Sequence, residues 1–249
     1  MRHLFRLLTT ASILLFTLVG GQSVMGQADL DERLVLASPD AIQADTQLKA
    51  HMTSLAEMAV REHCAGCHGI DLAGRPGVPN LVDFDWLWGV SGFEMTQSEA
   101  VFEIMQTILY GVRNADCPDD LKRYGGCPDT RFSQMPGYGE LGFTEVQLNG
   151  LVDYVYSLSG QDHDAAAVEN VAGLTSLCAE CHGDDGTGYK PFGGPDLSDD
   201  VWLFGSSRDV VYDVIANGRT ESCPAWSNRL DSATIKALSV YIYNRYMGI

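Results

Sequence analysis

Cys64-Ala65-Gly66-Cys67-His68 and Cys178-Ala179-Glu180-Cys181-His182 decide how the rest of the chain is organised. In each pentad the two thiols have the spacing for covalent attachment of a c-type haem, and the histidine is the residue that ligates the iron. A glycine follows each pentad, as Gly69 and Gly183, where a larger side chain would crowd the porphyrin. Chance does not readily produce two copies with similar flanking sequence. The sequence therefore predicts two covalently bound haem c groups.

The two halves of the chain repeat the same features in the same order. Pro79-Asn80-Leu81 is followed by Trp86-Leu87-Trp88-Gly89, and Pro195-Asp196-Leu197 is followed in the same way by Trp202-Leu203-Phe204-Gly205. Each set lies at a similar distance after its own pentad. A repeat of this length indicates an internal duplication.

Apolar residues at helical spacing and capping residues predict the main helices. Thr96 with Glu99, and Thr144 with Gln147, have the spacing of capping boxes that open a helix. Gly111 and Gly160 are the corresponding stops. The expected helices cover Asp45–His63, 96–110, 144–160 and 168–177.

The length and the helical pattern together predict the domain organisation. A chain of 249 residues is long enough for about two domains of ordinary size. We expect an all-α protein with a first cytochrome c domain at 29–160, a polar linker at 161–167 and a second cytochrome c domain at 168–249. The haem itself supplies much of the core of so small a domain.

The N-terminus has the pattern of a secretory signal peptide. Residues 1–6 form a positively charged n-region with Arg2 and Arg6, and 7–19 form a mainly apolar h-region. We therefore place a leader at 1–28, with small residues at Gly26 and Ala28 as cleavage points. Neither position is a clean Ala-x-Ala site, and an uncleaved inner-membrane anchor is the alternative. Export predicts a periplasmic protein, in agreement with haem attachment on the oxidising side of the bacterial membrane.

The charge of the chain restricts its partners. Asp and Glu total 33 against 16 Lys and Arg, which gives a formal net charge of −17. This excess of negative charge argues against nucleic acid and anionic membrane surfaces as partners. Membrane contact is expected only if the N-terminal segment is retained. The acidic surface either attracts a basic redox protein or serves only to keep the protein soluble.

Seven cysteines can be assigned almost completely. Four belong to the pentads. Cys117 and Cys127 lie in a loop rich in turn-forming residues, and we expect a local disulfide between them. Cys223 is then an odd thiol in an exported protein, which requires an explanation.

The sixth iron ligand distinguishes the two predicted haem sites. His68 and His182 are the proximal ligands, and Met135 lies in a Pro- and Gly-rich loop that can present its thioether to the first iron. The duplication places Cys223 opposite Met135, so we expect Cys223 as the thiolate ligand of the second iron. Open alternatives for the second site are water, Lys190, Met247 or an intermolecular disulfide at the cysteine.

Arginines at matching positions are candidates for the haem propionates. Arg113 and Arg219 each stand just after a helix, where a guanidinium could pair with a propionate. A solvated surface charge is the alternative at both positions.

With these residues assembled, the chain resembles the di-haem subunit of cbb3-type cytochrome c oxidases, the CcoP or FixP family. The most specific parts are Pro79–Gly89, the stretch Asp129–Pro136, the ending Tyr154–Gly160 and Trp202–Gly205. The resemblance implies class I cytochrome c domains that pass electrons from a protein donor through both haems to a terminal oxidase or another respiratory complex. Three features depart from the family: a leader replaces the membrane helix, the loop with Cys117 and Cys127 is an insertion, and Cys223 replaces the second axial methionine.

The resulting hypothesis is an exported di-haem electron carrier that is not itself an enzyme. Its first haem would be a higher-potential His/Met centre and its second a lower-potential His/Cys centre. A thiosulfate dehydrogenase-like enzyme that uses the Cys-ligated haem is the main alternative, because such enzymes resemble the chain in that ligand pair. A redox or gas sensor with labile ligation at Cys223 is a third.

Overall fold

The computed structural model describes residues 16–88, 96–117, 120, 122, 127–132 and 134–249. A π-helical turn at Val60–Cys64 leads into the first pentad, and a 3₁₀ turn at Lys190–Phe192 follows the second. The α-helices in chain order are α1 (Phe16–Leu36), α2 (Pro39–Ala44), α3 (Thr46–Ala59), α4 (Ala65–His68), α5 (Gln97–Tyr110), α6 (Glu145–Leu158), α7 (Ala165–Val171), α8 (Ser176–His182), α9 (Arg208–Asn217) and α10 (Ser232–Met247).

The regular structure of the described residues is helical throughout. Their extended segments form isolated bridges and no strand. The prediction of an all-α protein is therefore confirmed for this part of the chain.

Capping residues fix the starts of α5 and α6 as the sequence predicts. The Thr96 hydroxyl accepts from the Glu99 amide, and the Glu99 carboxylate accepts in return from the Thr96 amide at 2.8 Å. Thr144 and Gln147 form the same box at the start of α6. Each box satisfies two amides that the first helical turn leaves without intrahelical acceptors.

Two predicted helices are divided in the structure. α3 ends at Ala59, and the backbone reaches the first pentad through the π turn instead of continuing as α-helix to His63. The predicted helix over 168–177 is two helices, α7 and α8, with Gly173 in the break between them. α7 also begins inside the predicted linker, because the Asp164 carboxylate accepts from the amides of its first turn.

The last helix of the chain packs onto the first half. α10 lies against α3 and α5. Leu238 of α10 is buried in the same apolar cluster as Met52 of α3 and Ile104 of α5. Beyond this cluster, the Tyr246 ring of α10 meets the Trp86 ring edge-on, with centroids 5.3 Å apart.

The last helix of the first half packs onto the second half in the same way. α6 lies against α7 and α9, and its Leu151 shares a buried cluster with Val171 of α7 and Ile215 of α9. The two carboxylate oxygens of Asp153 on α6 accept from the guanidinium of Arg208 on α9 at 2.8 and 2.9 Å. This ion pair holds the pKa of Asp153 below its usual range.

The two halves have therefore exchanged their final helices. We call residues 16–110 together with 232–247 the first unit, and residues 145–217 the second unit. The expected sequential division at 160 does not describe this packing, because each unit is completed by a helix from the other half. The boundaries 29–160 and 168–249 describe the sequence repeat and remain predictions as folding domains.

α1 connects the N-terminal region to the first unit. His51 on α3 contacts Asp31 on α1 through Nε2 and Oδ1 at 2.7 Å, and its Nδ1 lies 3.1 Å from the Gln27 amide nitrogen. Residues 16–28 of the predicted leader form the start of α1, and residues 1–15 lie outside the described residues. Among the helices that are described, none is long and apolar enough to cross a bilayer. The leader remains a prediction.

Candidate functional site

The first pentad ends the short helix α4 and presents His68 in a fixed orientation. Nδ1 of His68 lies 2.9 Å from the carbonyl oxygen of Pro79, so Nδ1 carries the proton and donates it. Burial lowers the pKa of His68 and favours the neutral imidazole. A neutral ring held by its Nδ1 leaves Nε2 as the nitrogen available to a metal.

The second pentad repeats this geometry at the end of α8. Nδ1 of His182 lies 2.9 Å from the carbonyl oxygen of Pro195, and the buried imidazole has a lowered pKa for the same reason. Pro79 and Pro195, which correspond in the sequence repeat, therefore have the same role, because the carbonyl of each orients one histidine. Neither proline was recognised in this role from the sequence.

Cys223 lies at the first pentad. Its backbone N–H donates to the carbonyl of Val112 at 2.9 Å, and the Val112 N–H donates back at 3.0 Å, which docks the segment beside the end of α5. Burial, and after it the nearby sulfurs of Cys64 and Cys67, raise the pKa of the Cys223 thiol to about 11. The Trp226 ring, three residues later, lies tilted against the ring of His63, with the ring centroids 5.2 Å apart.

Met135 lies at the second pentad. It exchanges two backbone hydrogen bonds with Arg219, at 3.1 and 2.9 Å, just after α9, and packs against the apolar cluster of the second unit. Tyr138, three residues later, has its pKa raised to about 12 by burial and then by Cys178 and Cys181. The methionine loop therefore borders the second pentad.

The packing of these two segments does not follow the pairing expected from the sequence order. Met135 was assigned to the iron of His68, and Cys223 to the iron of His182. The packing places each segment at the other pentad, because each segment leads into a helix that packs on the other half. Sequence alignment of the repeats cannot detect this, since it compares equivalent positions and not their neighbours in space.

Two glycines permit the close approach of these segments. Gly111 ends α5 with φ of 73°, and a Cβ there would lie 2.4 Å from the carbonyl oxygen of Cys223. Gly218 ends α9 with φ of 71°, and a Cβ there would lie 2.3 Å from the carbonyl oxygen of Met135. Both positions favour glycine for its conformation and for its lack of a side chain.

The two units meet along the loops that follow the pentads. The Gly77 N–H donates to the Leu203 carbonyl at 2.8 Å, and Gly193 packs directly against the Trp88 ring. Burial and the nearby Asp199 carboxylate raise the pKa of Asp85 at this contact to about 6. Direct contact of this kind fixes the two pentads relative to each other.

The alternative ligands considered for the second iron have other positions. Lys190 donates from Nζ to the backbone carbonyl of Trp86, across the contact between the units. Met247 ends α10, which belongs to the first unit, and its side chain is exposed.

The two arginines predicted near the haems contact different groups, and Arg219 lies beside α9. It pairs with Asp213 at 2.5 Å, whereas Arg113 donates from Nε to the backbone carbonyl of Glu221. The sequence missed Arg131, which pairs with Glu103 and is only 15% exposed. Arg131 lies four residues before Met135, as Arg219 lies four residues before Cys223, but the loop with Cys117 and Cys127 separates Arg131 from the end of α5.

Cys117 and Cys127 are joined by a disulfide, with Cα atoms 5.8 Å apart. The Asn114 side-chain amide lies 3.5 Å from the Cys127 sulfur. Residues 118, 119, 121 and 123–126 between the cysteines lie outside the described residues. The bridge closes the loop that leads from α5 toward Arg131.

The residues at both pentads fit covalent haem c. Each site offers two thiols, an imidazole with Nε2 available and a sulfur side chain on a facing loop. A buried Nε–H of Arg131 finds no acceptor among the described residues, which is the kind of donor a haem propionate would satisfy.

Comparison with known proteins identifies the family. The family model described as "Cytochrome C oxidase, cbb3-type, subunit III" matches residues 165–242. The cbb3-type cytochrome c oxidase subunit CcoP of Cereibacter sphaeroides is 36% identical over 218 residues, covering 87% of this chain and 69% of the relative. Subunit FixP of Bradyrhizobium sp. strain ORS 278 is 38% identical over 216 residues, covering 85% of this chain and 67% of the relative. Similarity at this level over most of both chains confirms the resemblance, and the chain belongs to the CcoP/FixP family of cbb3-type cytochrome c oxidase subunits.

Proposed function

We propose that this protein is a di-haem c-type electron carrier in which the axial ligand pairs are crossed between the halves of the chain. His68 and Cys223 would hold the first iron, and His182 and Met135 the second. The observation that carries this proposal is the position of Cys223 beside Cys64. The packing of Met135 against the apolar cluster of the second unit is the complementary observation.

Each chain segment has a separate task in this arrangement. The cysteines of each pentad would hold the macrocycle by thioether bonds, and bound haem would supply one-electron exchange between its ferric and ferrous states. The Pro79 and Pro195 carbonyls orient the proximal imidazoles and make them stronger electron donors. The glycines at the ends of α5 and α9 let the sixth-ligand loops approach.

The crossed pairing reverses the order of potentials expected from the sequence. A thiolate donates more charge than a thioether and stabilises the ferric state, whereas Met ligation raises the potential. The first site, with Cys223, would therefore be the low-potential centre, and the second site, with Met135, the high-potential centre. Electrons would pass from the first site to the second.

Contact between the units supports transfer between the sites within one molecule. The Trp88 ring of the first unit packs against Gly193 of the second. The backbone hydrogen bond from Gly77 to Leu203 joins the same two loops. Both contacts hold the loops that follow the pentads together, so transfer would not depend on diffusion of separate domains.

The partners follow from the family and the charge. The relatives are subunits of cbb3-type oxidases, and we propose a terminal oxidase or another respiratory complex as the acceptor, with a protein redox donor. The net charge of −17 favours a basic docking face on one of them. The location would be periplasmic, with an inner-membrane anchor if the N-terminal segment is retained. The relatives give no support to the thiosulfate dehydrogenase alternative.

Variants that retain one haem each test the crossed pairing. Replacing Cys178 and Cys181 by Ala leaves only the haem at the first pentad. Its ferric electron paramagnetic resonance spectrum should show a thiolate-ligated low-spin iron. The matched variant, with Cys64 and Cys67 replaced by Ala, should show the His/Met signal instead.

Sequential pairing predicts the opposite assignment of the two signals, so a His/Met signal from the first-pentad haem would reject the crossed arrangement. Cys223→Met in the intact di-haem protein is the second measurement. It should abolish the thiolate signal and leave the other signal unchanged, even if a single-haem variant folds poorly.

A further inference from the structure

Arg131 occupies a partly enclosed position between α5 and the loop that follows the first pentad. Its Nη2 donates to the backbone carbonyl of Glu103 at 3.0 Å and to the Glu103 carboxylate at 2.5 Å. Its guanidinium carbon lies 5.5 Å from the centre of the Trp88 ring. The side chain is thus held on one side by a carboxylate and on one face by an indole.

One donor of this guanidinium is left without an acceptor. The Nε of Arg131 is buried and makes no hydrogen bond with any residue that the structure describes. A buried N–H of a charged group is rarely left without a partner, because desolvation is unfavourable unless an acceptor replaces water. The position therefore calls for an acceptor that the described part of the chain does not supply.

The backbone connects Arg131 to the first site. Arg131 and Val112 lie in adjacent extended segments, and the Arg131 N–H donates to the Gly111 carbonyl at 3.1 Å. The Val112 backbone pairs in turn with Cys223, whose thiol interacts with Cys64. Arg131 is therefore one segment away from the loop proposed to supply the sixth ligand.

The second site has a similar grouping around Arg219, which lies four residues before Cys223 as Arg131 lies four residues before Met135. The guanidinium carbon of Arg219 lies 4.8 Å from the centre of the Phe204 ring. It pairs with Asp213 on α9. Phe204 is the repeat counterpart of Trp88, so each unit places an arginine and a helix carboxylate against the same aromatic position. Arg131 takes the place that the sequence assigned to Arg113.

We propose that Arg131 donates from Nε to a propionate carboxylate of the haem held at Cys64 and Cys67, and keeps that propionate ionised. A guanidinium has five N–H donors, so it can serve the Glu103 carboxylate and a propionate together. An ionised propionate takes up no proton when the iron is reduced, and the potential of the first haem would then be nearly independent of pH. This inference rests on the first haem being bound as proposed above.

The test is a redox titration of the di-haem protein at several values from about pH 5 to about pH 9, followed by the ferric signal of the first haem. Wild type should give a flat profile. Arg131→Gln should lower the potential at neutral pH, and the potential should fall further as pH rises, because the propionate now releases a proton on oxidation. Arg113→Gln is the matched control and should keep the flat profile.

An Arg131→Gln profile that coincides with that of wild type would overturn the proposal and leave Arg131 a structural residue bound to water. A pH-dependent profile in Arg113→Gln instead would return the role to the residue expected from the sequence. Haem content and the ligand signals of each variant report separately on the proposed function, so failure of haem binding is distinguishable from loss of the propionate contact.

Discussion

Leu238→Ala tests the exchange of the terminal helices directly. Leu238 lies on α10 and is 1% exposed, within the apolar cluster of the first unit. Truncation of a buried leucine to alanine costs about 3 kcal/mol, from lost transfer free energy and from the cavity that remains. Since about 1.4 kcal/mol is a factor of ten in an equilibrium constant, local opening of the first unit should become roughly a hundredfold more frequent.

Peptide-resolved hydrogen exchange of the holoprotein measures this opening. Amides of α3 and α5 should exchange about a hundredfold faster in Leu238→Ala than in wild type, because α10 packs against these two helices. Amides of α7 and α9 should lose less protection in this variant than amides of α3 and α5. The matched control is Leu151→Ala on α6, which is 2% exposed in the cluster of the second unit. It should accelerate exchange in α7 and α9 instead.

The reasoning would be refuted by loss of protection in α7 and α9 of Leu238→Ala while α3 and α5 keep theirs. That result would mean that α10 completes the second half of the chain, as in two sequential domains.

Three further predictions concern single side chains. Asp153→Asn should lower the free energy of unfolding by about 1–2 kcal/mol near neutral pH, because the carboxylate loses its ion pair with the half-exposed Arg208. Folding lowers the pKa of Asp153, so the stability difference between wild type and Asp153→Asn should be present above about pH 4 and should disappear as pH falls further. Denaturant titrations measure this difference, and an unchanged difference at low pH would contradict the prediction. Asp85→Asn should stabilise the protein at neutral pH, because the raised pKa of about 6 makes wild type lose stability as pH rises from about 4 to 6. Equal thermal unfolding temperatures of both proteins above about pH 7 would argue against this prediction. Gly111→Ala should weaken the thiolate signal in the ferric spectrum by pushing away the Cys223 carbonyl, and a full-strength signal would show that the loop can move.

Local features of this protein were predictable because they depend on neighbours in sequence. The pentads and the capping boxes of Thr96 and Thr144 are complete within a few residues, and the structure forms the boxes as expected. The break between α7 and α8 was missed because Gly173 and Ala172 are weak signals inside an otherwise helical pattern.

The exchange of α6 and α10 was not predictable for a physical reason. Duplication gives the two helices similar apolar patterns, so the pattern alone does not distinguish which half each helix packs against. The choice depends on contacts between distant residues, such as Asp153 with Arg208 and Tyr246 with Trp86. The placement of the Met135 and Cys223 loops was not predictable for the same reason, because each loop packs together with the helix that follows it.

The crossed helices also bear on the order in which a growing chain can complete its two sites. The second unit ends at 217, whereas the first unit requires α10, which ends at Met247. A chain that leaves the ribosome or a membrane channel from its N-terminus can therefore finish the C-terminal pocket before the N-terminal one. The first pentad would therefore be synthesised first and completed last, because its site needs Cys223 and α10. Release of the final thirty or so residues would be the step that completes this site.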